Sequence, residues 1–281
     1  MAELEKFTLR DVLKIPYEER LRRLFNTPAQ QRFDLYQNGE VMDNKLGEVD
    51  VYDLAAAEKT IVNSNMRSLE REMQDRPIEL SRKGLMDLNK RIFGDIYEWA
   101  GHERFINVQK TEPLLNGNSV DYEKWYMIRP MIEETIERMK AIDYKTDPKH
   151  GVEELTMCFA ELWRCHPFRE GNTRTTTTFA WQAAVQNGLD LNYMFTTPNG
   201  VKLRDALVLA NDPAKQNDDS RYNILFNILA SSVRDVYIPL KPVPQDINLN
   251  VAKQRMENDL KNRNSSEKTR KPMQQYTLRG D

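Results

Sequence analysis

The sequence predicts a mainly α-helical protein. Over several long stretches the apolar residues recur three or four positions apart, which is the period of a buried helix face. Prolines or glycines stand where many of these stretches end. The chain has 281 residues and a net charge of −2. This length suits one large domain with appendages, and the charge favours neither nucleic acid nor an anionic membrane as a partner.

The expected helices follow one another along the chain. They span 9–24, 53–71, 80–99, 122–142, 152–165, 173–187, 202–209 and 223–236. Pro130 lies inside the fourth helix, so we expect a kink or two shorter helices there. A proline-rich stretch over 238–244 ends the helical part, and the very polar residues 251–281 predict a helix followed by disorder. No apolar run approaches the ~20 residues of a membrane span, so none is expected.

The most informative motif lies between the fifth and sixth of these helices. It begins at His166, ends at Arg174 and reads H-P-F-R-E-G-N-T-R. Pro167 ends the preceding helix just after His166, and the loop then enters the next helix with Asn172 as its expected N-cap. The unpaired backbone N–H groups and the positive dipole end of a helix make such a position an anion site.

The side chains of this motif suit phosphate chemistry. His166 can take a proton from a hydroxyl near neutral pH. Glu170 can hold Mg²⁺, which prefers carboxylate and phosphate oxygens. The backbone of 171–173 can cradle phosphate oxygens, and the planar guanidinium of Arg174 can clamp a further phosphate. Each residue alone has an ordinary structural explanation, and only their combination at this spacing indicates a site.

The motif resembles the signature of the Fic family, H-x-F-x-[D/E]-G-N-G-R-x-x-R. Upstream, residues 95–101 and 104–110 resemble the family's D-x-Y-x-W-A-G-x-x-R-x-x-N-x-x-K region, and residues 44–47 resemble its opening segment. The similarity therefore covers about 36 to 210. It implies a mainly α fold, a Fic-type helical bundle with a short β-hairpin flap over the active site. On this resemblance, residues 1–35 form an N-terminal helical arm, 36–240 the Fic domain, and 241–281 a polar, partly disordered C-terminal extension.

The resemblance also implies an activity. Most similar proteins are protein adenylyltransferases, which move AMP from ATP onto a Ser, Thr or Tyr hydroxyl of a target protein. ATP would then be the co-substrate and Mg²⁺ the cofactor. His166 would be the base, Glu170 the Mg²⁺ ligand and Arg174 a contact of the leaving phosphates. The anion hole for the α- and β-phosphates would be formed by Gly171, Asn172 and Thr173.

The resemblance further implies how a target protein docks. In the family, the flap pairs with an extended segment of the target by strand addition. Alternating apolar and polar residues over 106–109 predict a short strand there. The flap positions implied are Phe105, Ile106, Asn107 and Val108. The protein would act either in a bacterial cytoplasm as a toxin or in a host cell as a secreted effector.

Two departures from the family signature leave alternatives open. Thr173 replaces the second glycine, and Thr177 replaces the final arginine, which in the family reaches the γ-phosphate. Loss of one charge-assisted contact costs roughly 1.5–3 kcal/mol, so it weakens the grip on ATP. The alternatives are transfer of another nucleotide or phosphate group, and a docking module with weakened catalysis.

Regulation by an inhibitory helix is not expected within this chain. In many similar proteins a helix with the pattern [S/T]-x-x-x-E-[G/N] places its glutamate on the motif's last arginine. Ser68 to Glu72 is followed by Met73, and Ser119 to Glu123 by Lys124, so neither fits. We therefore expect no glutamate-bearing helix over Arg174. Either a small antitoxin-like protein supplies such an inhibitor in trans, or the protein is not controlled in this way.

Overall fold

The structure, a computed structural model, describes residues 8–193 and 200–244. Over these residues the protein is mainly helical, as predicted. The helices are α1 (Leu9–Lys14), α2 (Tyr17–Phe25), α3 (Ala29–Asp34), α4 (Val51–Asp75), α5 (Arg82–Phe93), α6 (Ile128–Ala141), α7 (Pro148–Cys165), α8 (Asn172–Gln186), α9 (Gly200–Ala210) and α10 (Asn223–Ala230). Strands β1 (Gln37–Asn38) and β2 (Val41–Met42) pair antiparallel, with Gln37 opposite Met42. Short 3-10 helices span Pro113–Leu115, Trp125–Met127, Pro213–Lys215 and Asp219–Tyr222.

Helix α7 lies at the centre of the packing. It contacts α6, α8, α9 and α10. Its apolar period places Leu155, Phe159 and Leu162 in the core, fully shielded from solvent. Helix α8 packs against α5 and α6 as well as α7. The loop between α7 and α8 therefore begins and ends on elements that are fixed by the core, which is a rigid support for a functional site.

Two of the predicted helices differ because of prolines. The predicted helix over 9–24 is two helices, since Pro16 is the N-cap of α2 and separates it from α1. The helix predicted over 122–142 begins only at Ile128, after the 3-10 helix Trp125–Met127, and it is not divided into two helices at Pro130. Pro130 falls in the first turn of α6, where an N–H group has no helical acceptor and proline is tolerated.

Two other helices are shorter than predicted. The helix predicted over 80–99 ends at Phe93, and turns follow in which Ile96 and Trp99 are still buried. Their spacing therefore resembled a helix face without forming one. The helix predicted over 223–236 ends at Ala230. Beyond it, Arg234 donates its backbone N–H to the Asp190 carbonyl at 3.0 Å, so this segment bonds to another part of the chain. The predictions for 251–281 lie outside the described residues.

The strand predicted over 106–109 is not formed. We define the flap as residues 104–121. Glu112 donates its N–H to the Asn118 carbonyl at 3.0 Å, so the flap folds back on itself. The two strands that the structure describes, β1 and β2, lie outside the flap. The alternation was misleading because Asn107, one of its two polar positions, is buried, and its side-chain oxygen accepts the N–H of Trp125.

The N-cap of α8 must be a glycine because its backbone packs closely against α5. Gly171 has φ +77, and a Cβ there would lie 2.1 Å from the Phe93 ring. Gly117 has φ +88 but open space around it. We predict that Gly117→Ala costs about 1–2 kcal/mol of unfolding free energy from backbone strain. Gly171→Ala should cost a further ~1–3 kcal/mol from overpacking.

Urea unfolding of both glycine variants checks this expectation. Gly117→Ala is the matched control, because it shares the left-handed backbone and lacks the steric contact. Equal losses of stability in the two variants would contradict the packing described for Gly171.

Candidate functional site

A cleft of about 890 Å³ opens beside the loop between α7 and α8. Volumes of about 300–1,000 Å³ are typical of small-molecule sites. Its walls come from α3, the β1–β2 hairpin, α4, the flap and α9. Six predicted site residues line it together: His166, Glu170, Gly171, Asn172, Thr173 and Arg174. The four predicted flap residues, Phe105, Ile106, Asn107 and Val108, are buried instead, so their side chains are not displayed for docking.

The histidine is held in an unusual backbone conformation. His166 is the C-cap of α7 with φ +46, in the left-handed region. Its ring is 2% exposed and lies against Tyr122, with 4.3 Å between ring centroids, and edge-on to Trp163. Neither ring nitrogen has a hydrogen-bond partner among the described residues. Burial, followed by the nearby cations Lys110 and Arg104, holds the pKa of His166 well below its usual value.

The backbone around His166 is fixed by one buried arginine. The Arg104 side chain donates to backbone carbonyls in three parts of the chain: those of Ile106, Glu123, Cys165 and His166. Its backbone N–H also donates to the Pro167 carbonyl at 2.7 Å. Burial lowers the pKa of Arg104 to about 10, so the guanidinium stays charged at neutral pH. The flap and the end of α7 are thereby joined.

The loop after His166 is closed by its own side chains. The Asn172 side chain accepts from the N–H of Phe168 and donates to the Phe168 carbonyl, both at 2.8 Å. The predicted N-cap role of Asn172 is therefore wrong: Gly171 is the N-cap and Asn172 the first helical residue. The Thr173 hydroxyl accepts from the indole N–H of Trp163 at 2.9 Å. Gly171, Asn172 and Thr173 line the cleft at the start of α8, and the Gly171 N–H donates to the Glu170 carboxylate at 2.9 Å. Unpaired N–H groups in the first turn of a helix are the donors that an anion site uses.

The metal predicted for Glu170 is compatible with this cleft. Mg²⁺ usually binds through one or two carboxylates together with substrate phosphates. Glu170 lines the cleft and is half-buried. No cluster of three or more His, Cys, Asp or Glu side chains that could hold a metal occurs in the part of the chain that the structure describes. Lys110 also lines the cleft, and burial lowers its pKa to about 8.

The expectation that no glutamate-bearing helix packs over Arg174 is wrong. Glu58 of α4 accepts a hydrogen bond from the Arg174 guanidinium at 2.8 Å. Leu54 stands four residues before Glu58 and Lys59 follows it. The helix therefore lacks both the hydroxyl and the Gly or Asn of the inhibitory pattern, which explains why a search for that pattern missed it.

The residue in place of the final arginine of the signature does not reach the cleft. Thr177 is 3% exposed, and its hydroxyl makes no hydrogen bond to the described residues. A different arginine lines the cleft, Arg204 of α9, which binds the buried carboxylate of Glu112 through both terminal nitrogens. The pair joins the flap to α9.

Sequence reasoning gave no role to Glu58, Lys110 and Arg204, which all line the cleft. The sequence contained a signal for Glu58, because this residue stands four positions from each of the apolar residues Leu54 and Val62 on α4. A carboxylate on a buried helix face is uncommon. Lys110 belonged to the matching upstream block without receiving a role. Arg204 had no sequence signal, since only the packing of α9 brings it to the cleft.

Comparison with known proteins supports the resemblance. Residues 79–184 match the family model described as Fic/DOC family. The chain is 29% identical over 153 residues to the protein adenylyltransferase VbhT of Bartonella schoenbuchensis, covering 54% of this chain and 30% of that relative. It thus spans under a third of that protein's length. It is 26% identical over 180 residues to the probable protein adenylyltransferase y4lH of Sinorhizobium fredii, covering 62% of this chain and 84% of that relative.

Solved structures show the same fold. The N-terminal Fic domain of a Bartonella effector protein from Bartonella sp. AR 15-3 superposes with a TM-score of 0.57 at 20% identity, covering 72% of this chain and 92% of that one. The BepC protein of Bartonella tribocorum, with bound AMPPNP, superposes with a TM-score of 0.53 at 20% identity, covering 70% and 96%. Residues 79–184 thus match the Fic/DOC family model and lie within a fold that the chain shares with solved Fic domains.

Proposed function

We propose that this protein is a protein adenylyltransferase, which transfers AMP from ATP to a Ser, Thr or Tyr hydroxyl of a target protein. The observation that supports this most strongly is the placement of His166. Its ring lines the cleft beside the N-terminus of α8, and both its nitrogens are without partners in the described structure. The names of the curated relatives point to the same activity.

In this proposal, His166 acts as the general base. A ring nitrogen of His166 takes the proton of the target hydroxyl, and the hydroxyl oxygen attacks the α-phosphorus of ATP. A bond forms between that oxygen and the α-phosphorus, while the bond from the α-phosphorus to the bridging oxygen breaks and pyrophosphate leaves. The N–H groups at the start of α8 bind the phosphate oxygens as negative charge shifts. Arg174 binds the leaving phosphates.

Mg²⁺ would be held by Glu170 and would offset charge on the phosphates when bound. Lys110, which lies near Glu170, contributes a further positive charge to the same end of the cleft. The cleft is long enough to receive more than phosphates, because it continues along α3 and the β1–β2 hairpin. We place the nucleoside there.

The target protein docks on the flap in this proposal. Since the side chains at 105–108 are buried, recognition would use the flap backbone, which is the usual basis of strand addition.

No helix within 8–193 or 200–244 combines the length and apolarity needed to cross a membrane. Among the solved neighbours are VirB-translocated effectors, and we propose either delivery into a host cell or action in the bacterial cytoplasm. A small inhibitor acting in trans stays a prediction.

A second candidate is transfer of another nucleotide or phosphate group. It is favoured by Thr177, which is buried and uncharged where the family has an arginine for the γ-phosphate. The mass added to a modified target separates the candidates, because a nucleotide is far heavier than a bare phosphate. A docking module without catalysis would add no mass at all.

Labelling tests the proposed activity directly. Purified protein is incubated with α-labelled ATP, Mg²⁺ and cell lysate, and labelled proteins are separated by size. We predict a labelled band that is lost in His166→Ala, with a decrease of about 10²-fold or more in rate because general-base catalysis contributes at least that much. His150→Ala, which changes an exposed histidine, is the matched control. A band of equal strength in His166→Ala would reject His166 as the base.

The pH profile should reflect the buried histidine. A base acts in its neutral form, and burial lowers the pKa of His166 well below its usual value. The rate should therefore stay constant as the pH falls from 8 to about 6.5, the ordinary histidine pKa, and decline only below it. Initial rates at saturating ATP check this. An acid limb centred at or above 6.5 would contradict a buried, neutral base.

Lys110 predicts a separate effect at alkaline pH. Its pKa is about 8, so above this value it loses its positive charge and its attraction for phosphate. The affinity for a non-hydrolysable ATP analogue should fall by several-fold between pH 7 and 9.5, as expected for loss of one charged contact. In Lys110→Met the affinity should be lower at pH 7 and nearly independent of pH. Titration calorimetry at both pH values measures this, and an unchanged alkaline loss in Lys110→Met would assign it to another group.

A further inference from the structure

The guanidinium of Arg174 is held from two directions. One terminal nitrogen donates to Glu58 at 2.8 Å, and the guanidinium carbon lies 4.7 Å from the centre of the Phe93 ring. The Arg174 side chain is still 37% exposed and lines the cleft. A long cationic side chain at this position would otherwise sample many rotamers. Here its orientation is set before any ligand arrives.

Glu58 is itself held by a second residue. Its other carboxylate oxygen accepts from the Tyr97 hydroxyl at 2.7 Å. Tyr97 is buried and its ring stacks on Trp99, with 4.6 Å between centroids. Tyr97 lies in the turns after α5, Glu58 in the first third of α4 and Arg174 at the start of α8. The three side chains thus form a continuous chain of hydrogen bonds across three parts of the fold.

We propose that Glu58 and Tyr97 are positioning residues that hold the Arg174 guanidinium in the orientation that binds a phosphate group of the nucleotide. This inference rests on the proposed function. It assigns to Glu58 the opposite role from an inhibitory glutamate, although both would contact an arginine of the motif.

The number of hydrogen-bond donors favours positioning. A guanidinium has five N–H donors in a fixed planar fork. Glu58 receives one bond from Arg174, at a single terminal nitrogen, so other donors of the same fork remain for phosphate oxygens. A guanidinium that is fixed beforehand loses less conformational entropy when it binds a ligand.

The surroundings of Glu58 also argue against an inhibitor that must be released. An inhibitory contact has to open to allow the active state. If Glu58 moved away, the buried Tyr97 hydroxyl would lose the acceptor that it has in the structure, which is unfavourable. Helix α4 is anchored on both sides of Glu58 by the buried Leu54 and Val62. Glu58 is therefore a fixed partner of Arg174.

Substitutions that keep the shape of each side chain test this role. Glu58→Gln removes the charge and Tyr97→Phe removes the hydroxyl. We expect each to weaken binding of a non-hydrolysable ATP analogue by roughly 3–10-fold, the usual effect of losing one hydrogen bond. KM for ATP should rise similarly while kcat changes little, since binding rather than chemistry is affected. Glu72→Gln is the matched control, because Glu72 lies on the same helix as Glu58. This substitution removes an exposed ion pair with Arg91 of α5 and should change neither value.

The direction of the change decides between the roles. Tighter binding or faster labelling in Glu58→Gln would overturn the inference and make Glu58 inhibitory. Unchanged binding in both variants, with the wild type binding normally, would overturn it as well. A wild-type protein that binds no nucleotide would instead reject the proposed function on which the inference rests.

A double-mutant cycle separates positioning from general damage. If Glu58 acts through Arg174, then Glu58→Gln should have no further effect on analogue binding in an Arg174→Ala background. An equal effect in both backgrounds would show that Glu58 does not act through Arg174 and would overturn the inference. Thermal unfolding of each variant, without ligand, confirms that the folded protein is being compared.

Discussion

The buried guanidinium of Arg104 is the interaction on which the site depends. A charged group without water is costly unless it is fully hydrogen-bonded, and Arg104 meets this condition with carbonyls from the flap, from Glu123 and from the end of α7. The negative end of the α7 dipole is satisfied by the same charge. One cation therefore fixes the backbone at His166, at the start of the flap and in the last turn of α7. These three parts of the site are not independent.

The left-handed backbone at His166 shows how such a constraint is used. A non-glycine residue in this region costs about 1–2 kcal/mol, and such strain persists only when the surroundings determine it. Here the His166 carbonyl is bonded by Arg104 at 2.7 Å, and the ring packs against Tyr122 and Trp163. The imidazole is thus presented at the cleft in one orientation, and the nearby positive charges favour its neutral form.

The sequence predicted the local parts of the site better than the parts assembled by packing. Residues 166–174 are contiguous, so their helix–loop–helix context could be predicted from periodicity and one proline. Glu58, by contrast, reaches Arg174 from 116 positions away, and Arg204 enters only through the packing of α9. Local rules also failed where burial was unusual. Asn107 alternates with apolar neighbours as in a strand, yet it is buried and bonded to the Trp125 backbone. Ile96 and Trp99 keep helical spacing in turns.

The loop between α7 and α8 is fastened twice, by Asn172 to the backbone of Phe168 and by Thr173 to the Trp163 indole. A loop fixed in this way has little left to order when an anion arrives. Association of an anion should then resemble simple docking onto a rigid surface, without a slow conformational step. Differences in affinity between ligands would then arise mainly from differences in their dissociation rates.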